Sequence, residues 1–133
     1  MSGEKGGGFS RALATGSFLM ALAIAMGAFG AHGLKPHLTE KAMQTYTTGQ
    51  EYLVIGALSL LALGFMDTLR PNPSYRTLAW TMGIGTGIFT GTLLMISLAG
   101  VRWMGAITPI GGVLLIGSWI AAGVVLLKNS TKQ

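Results

Sequence analysis

Charged side chains fall in small groups along this chain, and the stretches between the groups are apolar. A charge at the centre of a membrane-crossing helix costs roughly 2.5 to 3.5 kcal/mol on insertion scales, so the groups mark where spans end. The first uncharged stretch lies between Arg11 and Lys35. Its core, Ala12 to Ala31, is about 30 Å long as a helix, one hydrocarbon thickness. The second, Tyr52 to Met66, is bounded by Glu51 and Asp67 and reaches only about 22 Å. The uncharged Ala42 to Gln50 extends it backwards to about Thr39, with Glu51 close enough to the interface to stay hydrated. The third, Thr77 to Val101, crosses comfortably. In the fourth, Thr108 followed by Pro109 reads as an N-cap with proline in the first helical position, giving a helix from Pro109 to Leu127. The competing start is Trp103, with a kink at the proline. The expected fold is an all-α integral membrane protein, a four-transmembrane-helix bundle over residues 12–128, with spans at about 12–33, 42–66, 77–99 and 108–127.

Residues 1–11, with Gly3, Gly6, Gly7 and Gly8, read as a flexible leader, and residues 129–133 as a polar tail. Arg70-Pro71-Asn72-Pro73 stops one helix before the next begins. Leu38, Ala42 and Tyr46 recur at four-residue spacing with Met43 beside them, which predicts an interfacial amphipathic segment over about 36–46. Thr39 is its expected cap, with Glu40 in the first turn. The first span has the basic flank of a signal peptide but an apolar run longer than the usual h-region, so it is expected to stay in the protein.

Composition agrees: 50% of residues are hydrophobic and 10% charged, against about 25% charged in ordinary soluble domains. This excludes a soluble globular enzyme. With four spans, Lys5, Arg11, Arg70, Arg76, Lys128 and Lys132 share one side, while Lys35, Lys41 and Arg102 lie on the other. The positive-inside rule then puts both termini in the cytoplasm. The net charge of +5 is dispersed over both faces, so no nucleic acid partner is expected. No cysteine is present, which removes disulfides, iron–sulfur clusters and thiol catalysis.

Small residues at four-residue steps let helix backbones approach closely. Gly83, Gly87 and Gly91 form such a stripe in the third span, with Thr86 and Thr90 nearby. Ala12, Gly16, Ala23, Gly27 and Ala31 repeat it in the first span, and Gly117 and Ala121 do so once in the fourth. Packing within the bundle accounts for these stripes. The other reading is that one of them meets a second copy or a partner protein, because so small a bundle has outward faces with little else to cover them.

Several of these residues also carry a resemblance. Gly27-Ala28-Phe29-Gly30-Ala31-His32-Gly33-Leu34-Lys35, Thr48-Gly49 with Tyr52, Phe89-Thr90-Gly91-Thr92-Leu93, Arg102-Trp103 and Gly105 to Gly112 occur in that order. Together they resemble the signatures of the YgdD-like family of small bacterial inner-membrane proteins, the domain of unknown function 423, whose eukaryotic relatives are transmembrane protein 256-like. The resemblance covers about Ala12 to Leu127. It implies a four-helix protein of the bacterial inner membrane with no established activity. Family members usually carry a histidine in the second span, in a Tyr-His-Ala-Leu setting, where this chain has Ile55-Gly56-Ala57-Leu58. A mechanism that needs that histidine cannot operate here without a substitute.

Candidate chemistry is thin. His32, Lys35, Glu51 and Arg102 form a polar cluster at the span ends, and His37 and Glu40 lie on the same side. Two histidines and two carboxylates are the residue types of a transition-metal site or a proton relay. Pro36 separates the histidines, however, so their spacing is not helical. His32 is expected instead to donate a hydrogen bond at the helix end or to Glu51. No metal or other cofactor is expected, and the methionines read as adaptable packing. Trp80, Trp103, Tyr46, Tyr52 and Tyr75 fall near span ends, as an aromatic belt requires. The favoured function is a non-catalytic membrane protein acting through helix contacts, as a self-associated unit or as an accessory subunit of a larger membrane assembly, with the lipid bilayer and another membrane protein or a second copy as partners. The alternative is a small-solute transporter or channel lined by Thr86, Thr90, Thr92 and Ser97 after oligomerisation. A membrane enzyme would have only the His32–Glu51 region to use.

Overall fold

In hydrocarbon an unpaired backbone N–H or C=O costs several kcal/mol, so apolar runs of this length fold as helices with every backbone group paired internally. The computed structural model describes residues 3–132, with side chains from residue 11 onward. It contains α1 (Gly3–Phe29), a π turn (Gly30–Leu34), α2 (Glu40–Leu69), α3 (Pro73–Ala99), a 3-10 turn (Arg102–Ala106) and α4 (Thr108–Thr131). No strand occurs among the described residues. All four long helices have the length and apolarity of membrane spans. The chain is an all-α integral membrane protein built as a four-helix bundle.

The helices pack in chain order. α2 lies against both α1 and α3, α4 lies against α3, and α1 barely touches α3. The core comes from the second half of α2 (Leu60, Leu63), the first half of α3 (Tyr75, Leu78, Met82) and the body of α4 (Leu115, Ala122). Two crossings are closer than any residue with a Cβ permits. A Cβ on Gly111 of α4 would stand 2.6 Å from the Phe89 amide nitrogen and 2.8 Å from the Gly85 carbonyl oxygen of α3. A Cβ on Gly56 of α2 would stand 2.1 Å from the Thr86 hydroxyl oxygen. The position where the family resemblance places a histidine is therefore the one where Thr86 lies directly on the α2 backbone.

The helix ends differ from expectation in instructive ways. Thr39 caps α2 by accepting from the Ala42 N–H at 3.1 Å, and Glu40 opens its first turn. The stretch 36–46, expected as an interfacial amphipathic segment, is divided between a tight turn over residues 35–39 and the first turns of α2, which runs unbroken from Glu40. Thr108 does not cap α4. Its hydroxyl instead bonds the Met104 carbonyl (3.1 Å) and the Thr92 hydroxyl (2.7 Å). A 3-10 turn holds the residues just before it, and Pro109 still occupies the first turn of α4. α1 already begins at Gly3, inside the stretch read as a leader, and α4 runs through the expected tail to Thr131; Met1, Ser2 and Gln133 lie outside the described residues. α3 ends at Gly100, whose φ of +71° is the left-handed conformation that glycine adopts without strain.

Asp67, read from sequence as a span boundary, is 4% exposed. It accepts from the Asn72 N–H at 2.9 Å and from Arg76 Nε at 3.1 Å, tying the α2–α3 connection shut. Asn72 in turn caps α3 through the Ser74 N–H. Of the expected belt aromatics, Trp80 and Trp103 face outward, whereas Tyr46 and Tyr75 are buried within the bundle. Their hydroxyls have partners there: Tyr46 donates to the Met26 carbonyl and Tyr75 accepts from Asn129.

Four outcomes follow for stability, each measured by denaturant titration in detergent micelles. Gly111→Ala should lose about 2 kcal/mol despite the better helix propensity of alanine, since overpacking against backbone typically costs 1 to 3 kcal/mol. Gly117→Ala, where a Cβ meets nothing within 4 Å, should be neutral or slightly stabilising. Asp67→Ala should cost about 2 kcal/mol by leaving the Asn72 N–H unpaired. Arg76→Gln should cost less than Asp67→Ala, because the arginine is 41% exposed and water screens the pair.

Candidate functional site

Where α1 ends and α2 begins, polar side chains of α2 reach across to the α1 backbone. α1 does not stop at Phe29 but widens into the π turn, closed by the Lys35 N–H on the Gly30 carbonyl at 3.1 Å. Such a turn shifts the helical hydrogen-bond register by one residue and is frequent at functional sites. α2 answers with two side chains one turn apart. Tyr46 donates to the Met26 carbonyl at 2.7 Å, and Gln50 donates through Nε2 to the Ala23 carbonyl at 2.9 Å. Gly30 makes room for the first: a Cβ there would lie 2.6 Å from Cε1 of the Tyr46 ring. On the opposite side of α2, Thr90 of α3 donates to the Gly49 carbonyl at 3.0 Å.

Two adjoining clefts open beside these contacts. One, of about 380 Å³, has Gly27, Gly30 and Ala31 as its α1 wall and Met43, Tyr46 and Gln50 as its α2 wall. The other, of about 610 Å³, is a more polar groove lined by Lys35, Glu40, Gln44, Thr47 and Glu51. Lys35, Met43 and Thr47 belong to both. Among the described residues, Lys35, Glu40 and Glu51 form no ion pair, and the Asp67–Arg76 bridge lies at the other end of α2.

The expected cluster is thus brought together in part. Lys35 and Glu51 share the groove. His32 and Arg102 are exposed and line neither cleft, and His32 makes no hydrogen bond to Glu51. The π turn carries the ring of His32 to the outer surface, and Arg102 sits on the α3–α4 connection. No three histidine, aspartate or glutamate side chains converge as a metal site among the described residues.

The small-residue stripes divide. In α1, Gly16 meets the Ala57 carbonyl and Leu61, Ala23 is fully buried, and Gly27 meets Gln50, while Ala31 is exposed. In α3, a Cβ on Gly83, Gly87 or Gly91 would meet nothing within 4 Å, so the bundle itself does not use that stripe. Each glycine follows an inward residue, Met82, Thr86 or Thr90, by one position, and one position is about 100° around a helix. The close approaches fall instead to Gly85, Gly111 and Gly56. Thr86, Thr90, Thr92 and Ser97 are all buried, each hydroxyl bonded to a backbone carbonyl. No buried side-chain nitrogen or oxygen among the described residues lacks a partner.

The sequence reading missed Gln50 and misplaced Tyr46. Gln50 carried a usable signal: an uncharged amide inside an apolar span must find a partner, and a glycine beside it marks a close helix approach.

Comparison with known proteins covers this region fully. A family model described as a protein of unknown function (DUF423) matches residues 26–112, from the carbonyl that Tyr46 bonds to the first turns of α4. The UPF0382 membrane protein YwdK of Bacillus subtilis is 41% identical over 108 residues, which span 80% of this chain and 88% of that one. A UPF0382 membrane protein of Staphylococcus epidermidis is 38% identical over 108 residues, covering 80% and 87%. The UPF0382 inner membrane protein YgdD of Escherichia coli is 31% identical over 108 residues, covering 80% and 82%. No solved structure matches. With the family model spanning well over half of the chain and relatives covered nearly end to end, this four-helix membrane protein belongs to the DUF423 family.

Proposed function

We propose that the protein is non-catalytic and acts through helix–helix contacts in the bacterial inner membrane, as an accessory subunit of a larger membrane complex. The observation that carries this reading is the outward stripe of Gly83, Gly87 and Gly91, open to any approaching backbone and unused by the protein's own helices. Small residues at this spacing are what transmembrane helices use to associate. Both termini lie in the cytoplasm on this reading, supported by six basic residues on that side against three on the other.

The interior offers little to an enzyme or a conduit. Its polar groups are spent on one another or on backbone carbonyls, and Thr86, Thr90, Thr92 and Ser97, the residues a channel or transporter would need on its path, are all turned into packed protein. They give the transport reading no support.

Extraction into native nanodiscs followed by intact-mass measurement tests the proposal. The wild type should emerge in a defined assembly with a second kind of chain. Gly87→Leu should reduce that assembly about tenfold while leaving the fold unchanged, a loss equivalent to about 1.4 kcal/mol. A wild type that emerges alone, as a monomer or as copies of itself only, overturns the accessory role.

A further inference from the structure

We propose that the paired clefts between the end of α1 and the start of α2 bind a phospholipid whose headgroup carries a primary amine, with an acyl chain led along the glycine wall. The inference uses different helix faces from the α3 stripe and does not depend on it. The glycine-walled cleft suits hydrocarbon: its α1 side is Gly27, Gly30 and Ala31, and the Tyr46 hydroxyl and Gln50 Nε2 already donate to α1 carbonyls. The adjoining groove suits a zwitterion. Glu40, Gln44, Thr47 and Glu51 recur at steps of four, three and four residues and so share one face of α2, with Lys35 at the junction of the two clefts. Both volumes fall in the range of small-molecule sites, roughly 300 to 1,000 Å³.

The charges make the argument specific. Glu40 and Glu51 are about 16 Å apart along the axis of α2, so the polar face runs from the first turn of the helix to the edge of the apolar run that begins at Tyr52. Glu51 is exposed there and forms no ion pair among the described residues, so its carboxylate, at the edge of the apolar run, is open to a cation from outside the chain. Lys35 likewise has no carboxylate partner among the described residues. A headgroup with an anionic phosphate and a terminal ammonium satisfies both: the phosphate meets Lys35, and the ammonium donates charge-assisted hydrogen bonds to a carboxylate. Phosphatidylcholine offers the charge but no N–H to donate. Phosphatidylglycerol offers no cation and sets its own negative charge beside two carboxylates.

The test is native mass spectrometry of the detergent-purified protein with an equimolar mixture of phosphatidylethanolamine, phosphatidylcholine and phosphatidylglycerol of identical acyl chains. The wild type should retain phosphatidylethanolamine about tenfold over each of the others, the ratio expected of one charge-assisted hydrogen bond. Glu51→Gln should abolish the preference over phosphatidylcholine, Lys35→Ala should lower retention of every phospholipid, and Arg102→Ala, outside the clefts, should change nothing. Soluble phosphoethanolamine, which lacks acyl chains, should not compete at equal concentration. Equal retention of the three lipids by the wild type overturns the proposal, as does a preference that survives both groove substitutions in folded protein, or full competition by the soluble headgroup. The wild-type comparison needs no variant to fold.

Discussion

Lipid tails are as apolar as leucine, so burying apolar surface does not pull these helices together; what holds them is close backbone approach and the few side chains that reach across to a neighbouring helix. Everything else in the bundle is arranged around that constraint. Tyr46 and Gln50 tie α2 to α1, Thr90 ties α3 to α2, and Asn129 ties α4 to α3 through Tyr75. Thr92 joins the end of α3 to the start of α4 through Thr108. At roughly 0.6 kcal/mol for an average interhelical hydrogen bond, these five supply about 3 kcal/mol. The contacts through Gly56, Gly85 and Gly111 place the backbones near enough for them to form.

The segments that carry the family resemblance meet one another in space. Thr90 bonds Gly49, and the Tyr52 ring lies 4.4 Å from the Phe89 ring, centroid to centroid. The Phe89 backbone faces Gly111, and Thr92 bonds Thr108. Stretches scattered over α2, α3 and α4 thus specify one junction. The departure at Gly56 belongs to the same junction: with glycine there, Thr86 fills the space a side chain would occupy. At the position where the family resemblance places a histidine, this chain has used the volume for packing.

Most of the fold was legible because span length and charge placement are set by bilayer thickness, which reads directly off a sequence. Thr39 was legible as a cap because its geometry depends on only three following residues. What sequence could not supply was rotation. Gly83, Gly87 and Gly91 have the spacing of a packing face, yet the inward direction of α3 is decided by Met82, Thr86 and Thr90 one position earlier, a choice made by α2 and α4 together. The same holds at the polar end: Lys35 and Glu51 come to line one groove because of how the π turn and the tight reversal are wound, and that winding leaves His32 outside.

The chain-order packing has a consequence for biogenesis. Each helix packs mainly against its neighbours in sequence, so nearly every interhelical contact joins elements adjacent along the chain, an arrangement of low contact order. As the spans leave the ribosome one after another, α2, α3 and α4 each find a docking surface already in the bilayer, while Asp67 of α2 and Tyr75 of α3 gain Arg76 and Asn129 as partners only when the next helix arrives. Assembly can proceed hairpin by hairpin, with α2 as the first element to be held on both sides.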